Sequence, residues 1–157
     1  MKKFFVVVAV LMLLATVSFA QISTAQAADL NPMEKIKHFQ LDVVRLVNQE
    51  RAKVGLEPLQ ISGELSKSAY IRAREMPQKY SHTRPDGSEW FTVMDSGPIR
   101  GENLARGQTS AEQVMETWMN SKLHRENILF KDYKEIGVAY YHDPNSNKHY
   151  WVQHFRG

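Results

Sequence analysis

Glu135-Ile136-Gly137-Val138-Ala139-Tyr140-Tyr141 and Lys148-His149-Tyr150-Trp151-Val152-Gln153-His154-Phe155 are joined by Asp143-Pro144-Asn145-Ser146-Asn147. β-Branched and aromatic side chains suit a pleated, half-buried surface, and a Pro/Asn/Ser cluster between two such runs marks a hairpin loop. The chain therefore ends in an antiparallel hairpin, while the segments before it read as helices. Helices first and a terminal hairpin last predict an α+β domain with helices packed on an antiparallel sheet.

Working outward, apolar residues recur from Met33 through Ile36, Phe39, Val43, Val44, Val47 and Val54, the spacing of a helix with one buried stripe. It is predicted to end near Lys53, with Gly55 as its stop and Pro58 soon after. Leu56, Leu59 and Ile61 are expected to be loop residues pinned to the core. Ser62 can cap a second helix, with Glu64 in its first turn and Leu65, Ala69, Ala73 and Met76 on one face. Pro77 ends it. Tyr80 to Ser88 reads as a loop turning at Pro85-Asp86-Gly87, and Trp90 to Asp95 as a brief helix. Ser110-Ala111-Glu112-Gln113 has the form of a capping box, opening a helix that buries Val114, Met115, Trp118 and Met119.

The 157 residues, 43% hydrophobic and 24% charged, are enough for one globular domain with a real core. Residues 1–28 read as a signal peptide: Lys2-Lys3, an apolar run from Phe4 to Ala15, then small-residue cleavage sites after Ala20 or Ala27. The alternative is an uncleaved anchor, but that run is short of the ~20 residues a span needs. Residues 29–40 form a leader and the start of the first helix, and residues 41–157 form the domain. No stable membrane span is expected after cleavage, and the destination is secreted or extracytoplasmic. Without Lys2 and Lys3, 18 basic residues stand against 17 acidic ones, no footprint for nucleic acid. The absence of cysteine removes thiol catalysis, thiolate metal sites and disulfides. Export without cysteine is associated with bacterial proteins.

His82, Glu102 and His124 are the candidates for chemistry. Two imidazoles and a carboxylate are the ligands of many catalytic zinc sites, and without metal the same trio suits acid–base work. Their spacing matches no compact metal signature, so loop residues of ordinary structural role are the competing reading. Ser121 precedes His124 by three residues, so a Ser121–His124–Glu102 nucleophilic set is a further alternative. No glycine-flanked elbow surrounds Ser121, which reads equally as a helix-end hydroxyl. His142 and His149 are expected to face each other across the hairpin. His154 is read as one more strand residue, and His38 as lying on the exposed side of the first helix. Trp118 and Trp151 are assigned to packing, and Asn103 and Asn127 to loop backbone ties.

Six segments also occur in a telling order: Ser81-His82-Thr83-Arg84-Pro85-Asp86-Gly87, Gly101-Glu102-Asn103-Leu104-Ala105, Trp118-Met119-Asn120-Ser121, His124-Arg125-Glu126-Asn127-Ile128, Glu135-Ile136-Gly137-Val138 and Tyr150-Trp151-Val152-Gln153. Together they resemble the bacterial branch of the CAP superfamily, or SCP domains, across residues 41–155. The resemblance implies an α-β-α sandwich with a central antiparallel sheet between helical layers. It also implies a cleft carrying two histidines and, in animal and plant members, two glutamates. His82, Glu102 and His124 match three of those positions, and the second glutamate falls on Ser121. Lys122-Leu123 replaces the Pro-Gly frequent in bacterial members. The resemblance implies zinc or another divalent ion on His82 and His124, with Glu102 as a further ligand and Ser121 and Asn103 lining the cleft. The expected function is an exported binding or interaction module for a small molecule, lipid or cell-envelope ligand. The alternative is a metal-assisted hydrolase of peptide or cell-envelope material, with His82, Glu102 and His124 catalytic and Glu102 or His124 the general base.

Overall fold

The computed structural model describes residues 31–157 apart from Ser96 and Pro98. The signal-peptide reading of residues 1–28, with its cleavage sites, lies outside the described residues. Helix α1 (Pro32–Lys53) starts with a capping box: Asn31 accepts from the Met33 and Glu34 amides at 3.0 Å, and Glu34 reaches back to the Asn31 amide. Its buried stripe is Val43, Val44, Val47 and, unexpectedly, Arg51, while Val54 is exposed at the helix end. Arg51 stands one helical turn beyond Val47 and carries its guanidinium inside, donating to the Ile128 and Phe130 carbonyls at 2.9 Å and to Glu57 O at 2.9 Å.

Strand β1 (Gln60–Ile61) comes next, then helix α2 (Gly63–Glu75), with Ser62 capping the Leu65 amide. A 3₁₀ turn spans Trp90–Val93. Strand β2 (Arg100–Arg106), helix α3 (Ala111–Asn120), helix α4 (Lys122–Ile128) and strands β3 (Glu135–Asp143) and β4 (Lys148–Arg156) complete the order. The Ser110 hydroxyl caps the Gln113 amide as expected, but Gln113 answers to the Thr109 amide rather than that of Ser110.

The four strands lie in the order β1-β3-β4-β2, antiparallel except where β1 joins β3 in parallel. Two loop expectations are thereby corrected. Ile61 is a strand residue with its side chain exposed, leaving Leu59 as the buried anchor of that segment. Gly101 to Ala105, read as loop, is the middle of β2. That segment has no β-branched or aromatic residue, and it becomes a strand because β4 supplies a full ladder of partners.

Side chains alternate across the sheet. Ile136, Val138, Tyr140, Trp151 and Phe155 face α1, α3 and α4, meeting Val43, Val47, Val114, Trp118 and Ile128. Leu104, Ala139, Tyr150 and Val152 face α2, meeting Ala69, Ala73 and Met76. Helices thus cover both faces, the α-β-α sandwich. The α2 side is thin because its contact residues are small, and at Gly137 the helix backbone sits directly on the strand. A Cβ there would collide with the Leu65–Ser66 backbone. No helix among the described residues is long and apolar enough to cross a membrane.

This close approach is testable. Gly137→Ala is expected to lower unfolding stability by about 3 kcal/mol, because backbone cannot yield as a side chain does. Gly63→Ala, where an added Cβ meets nothing within 4 Å, is expected to stay within about 0.5 kcal/mol of the parent. Urea unfolding of the two variants side by side reads the difference, and equal stabilities would refute the direct helix-on-strand contact.

Candidate functional site

Residues 102 and 104 of β2 point to the α2 face, and Glu102 pairs across the ladder with His154 of β4. The Glu102 side chain is 1% exposed, and three donors surround it. Arg72 of α2 donates from Nε to Oε2 at 2.9 Å and from Nη2 to Oε1 at 3.5 Å. His154 Nε2 meets Oε2 at 3.1 Å, and His82 Nδ1 meets Oε1 at 2.7 Å. Behind His154, the Ser68 hydroxyl lies 2.7 Å from Nδ1.

Arg72 also fixes the loop that carries His82. Its Nη2 donates to Ser81 O at 2.6 Å and its Nη1 to Glu75 at 2.7 Å. Glu75 in turn takes Arg84 at 2.6 and 3.0 Å, and Arg84 reaches Thr92 Oγ1 at 3.0 Å. The turn from Arg84 to Gly87 closes with a 3.0 Å backbone bond, and Gly87 adopts φ +87°, which suits a residue without Cβ. Buried Arg72 therefore ties both Glu102 and the His82 loop to one helix. The outcome is a His82 ring held by a carboxylate at Nδ1 while its side chain remains 57% exposed.

His124 arrives from the other layer, on α4. Asn103 is fully buried and donates to His124 O at 3.1 Å and to Gln153 Oε1 at 3.0 Å. Asn127 donates to Asn103 Oδ1 at 2.9 Å and to Glu102 O at 3.3 Å. Asn103 thus positions the α4 backbone from inside rather than lining an open surface. His124 Nδ1 is buried and has no hydrogen-bond partner. Ser121 stands between α3 and α4, extended at φ −95°, with its hydroxyl making no cap bond.

Electrostatics follow from these contacts. Burial would raise the Glu102 carboxyl, but hydrogen bonds from His154, His82 and Arg72 outweigh it and hold the group at about 2. Burial pushes His154 down against the pull of Glu102. A neutral His154 facing a carboxylate donates from Nε2, leaving Nδ1 to accept from Ser68. Burial, then the charge of His82, pushes His124 down.

The structure joins His82 and Glu102 directly and sets His124 beside them without a hydrogen bond to either. Arg72, Ser68 and His154 complete the site, and sequence reasoning missed all three. The available signal was positional. Ser68 and Arg72 fall on the same face of α2 as the predicted apolar residues Leu65, Ala69, Ala73 and Met76. Ser68–His154–Glu102 has the order of a hydroxyl, imidazole and carboxylate relay, but Ser68 lies on the buried face of α2, out of reach of a substrate. The Ser121–His124–Glu102 alternative lacks its hydrogen bonds. Among the described residues, no three His, Asp or Glu side chains form a group that could hold a metal ion. Both Glu102 oxygens are occupied beside a guanidinium, so the carboxylate is spent on orienting His82. The ring nitrogens left for a cation are His82 Nε2 and the imidazole of His124.

Comparison with known proteins agrees with this architecture. Residues 44–155 match the CAP family, described as the cysteine-rich secretory protein family. The chain is 40% identical over 128 residues to the Bacillus subtilis protein YkwD, covering 78% of this chain but 48% of that protein. It thus spans about half the length of that curated relative. Among solved structures it resembles an extracellular SCP-domain protein from Bacillus anthracis, with TM-score 0.72, 20% identity and coverage of 81% of this chain and 44% of that one. It also resembles an outer surface protein from Borrelia burgdorferi, with TM-score 0.64, 24% identity and coverage of 73% of this chain and 88% of that one.

The depressed Glu102 pKa has a pH consequence. A carboxyl lowered from 4.5 to about 2 on folding contributes stability that is complete above pH 4.5 and fades as pH falls toward 2. Glu102→Gln removes one of the two carboxylates paired with buried Arg72, leaving Glu75, and is expected to cost about 3 kcal/mol at neutral pH. Between pH 4.5 and 2 the variant should lose less further stability than the parent. Parallel stability–pH curves for the two would show that Glu102 carries no such linkage.

Proposed function

The chain belongs to the cysteine-rich secretory protein (CAP) family, and from that premise we propose that it is an exported binding module. Its cleft presents His82 and His124, as a pair, to a ligand or a divalent metal. One observation carries this reading: the Glu102 carboxylate is saturated by Arg72, His82 and His154. A general base works best with a pKa near the operating pH, whereas these donors hold Glu102 at about 2. Glu102 thus serves as an orienting group. When His82 is neutral, its Nδ1–H faces the carboxylate and its Nε2 offers a lone pair outward. The orphaned, buried Nδ1 of His124 favours the same reading, because an unpartnered buried nitrogen is costly until something meets it. Zinc, when bound, would supply Lewis acidity. The protein's own residues would orient His82 through Glu102 and hold α4 through Asn103. Export rests on the signal-like residues 1–28 and agrees with the extracellular and outer-surface descriptions of the two structural neighbours.

Calorimetric titration of the purified domain with zinc, beside His82→Ala and His124→Ala, tests the proposal. One ion per chain is expected, with affinity falling at least about tenfold in either variant, as when a ligand or its support is lost. No zinc uptake by the parent would remove the metal from the proposal. Turnover of peptide or peptidoglycan substrates that disappears in both variants would replace the binding module with the hydrolase.

A further inference from the structure

The loop that carries His82 runs along β2 from one end to the other. At its start, the Tyr80 ring lies under the guanidinium of Arg106, with 4.7 Å from Cζ to the ring centroid. In its middle, His82 bonds Glu102. At its end, the Phe91 ring lies under the guanidinium of Arg100 at 4.6 Å. Residues 100, 102 and 106 share one face of the strand, because alternate positions do. At about 3.3 Å per residue, the two arginines stand about 20 Å apart with the His82 site between them.

Neither guanidinium has a carboxylate partner or a side-chain hydrogen bond among the described residues, unlike Arg72, Arg84 and Arg156. Stacking on an aromatic face immobilises a guanidinium while leaving its edge donors free, and that edge matches an oxyanion with two parallel bonds. The one carboxylate between them, Glu102, is buried and neutralised by Arg72. This stretch therefore has a pinned positive charge at each end, and β2 itself adds no free carboxylate between them.

We propose that these two arginines bind an elongated polyanion, a chain with oxyanion groups at its repeats, laid along β2 from Arg100 to Arg106 across His82. The inference rests on reading the cleft as a binding surface, but it uses different residues from the metal proposal. A short anion can engage one arginine, whereas a chain longer than about 20 Å engages both, so affinity should depend on length as well as charge.

The test is calorimetry at fixed ionic strength, using inorganic polyphosphate long enough to reach from Arg100 to Arg106 and pyrophosphate as the short anion. The parent is expected to bind polyphosphate at least about tenfold more tightly per phosphate than pyrophosphate. The Arg100→Gln/Arg106→Gln double variant should lose at least about tenfold of polyphosphate affinity. A Lys131→Gln/Lys148→Gln control removes the same charge from exposed sites elsewhere and should change affinity by less than about threefold. Poly-glutamate of matched length identifies the oxyanion, since binding lost in the same variant supports a carboxylate chain as the natural source. Equal weakening in both double variants, or equal affinity per phosphate for both phosphates, would overturn the proposal. Zinc titration of the arginine variant keeps the two proposals apart. It should retain the parent's metal affinity.

Discussion

The pairing of Arg72 with Glu102 is the constraint on which the site depends. Both groups are removed from water, and the penalty for burying a lone ion is several kcal/mol even after relaxation. The fold meets it by saturating each: Glu102 takes Arg72, His82 and His154, while Arg72 takes Glu102, Glu75 and the Ser81 carbonyl. Such a pair is weak evidence of net stability, but it is strong on geometry, since each partner left alone would be intolerable. That makes the position of the His82 loop a consequence of charge neutrality in the core, transmitted from α2 through one guanidinium.

A second constraint acts at the free edge of β2. An edge strand exposes unpaired backbone groups that invite other strands. Here the outward carbonyl of Leu104 accepts from Trp118 Nε1 at 3.2 Å, and that of Glu102 accepts from Asn127 at 3.3 Å. The helices α3 and α4 thus seal the edge with side-chain donors. Because Asn127 and the Asn103 contact both fasten α4, sealing the edge also sets where His124 stands.

How much of this was legible in the sequence varies with how local the cause is. The hairpin, α2 with its Ser62 cap and α3 with its Ser110 cap are written in neighbouring residues, and they were readable. Strand β2 was not, because its identity comes from partners 50 residues away in β4. Arg72 and Arg51 hid for another reason. Arginines in helices ordinarily face water, and only the tertiary surroundings reveal one facing inward. His154 looked like any strand residue until the register set it against Glu102. His82 and Glu102, which the structure joins by a hydrogen bond, were picked out together only by the ordered motifs, since their spacing alone matched no signature.

The two layers of the site also explain what kind of chemistry the cleft favours. Where animal and plant relatives are expected to carry a second glutamate, Ser121 brings no charge, and the remaining carboxylate is already balanced by Arg72. Without free negative charge, cations gain little long-range attraction to this cleft, so a metal would be held by imidazole lone pairs rather than drawn in by field. Anions meet the opposite situation. The guanidiniums of Arg106 and Arg100 stand at the two ends of a strand whose one carboxylate, Glu102, is buried and paired with Arg72. The uncharged side chain at position 121 and the buried, paired one at 102 thus act in the same direction, each removing a free carboxylate from beside the imidazoles.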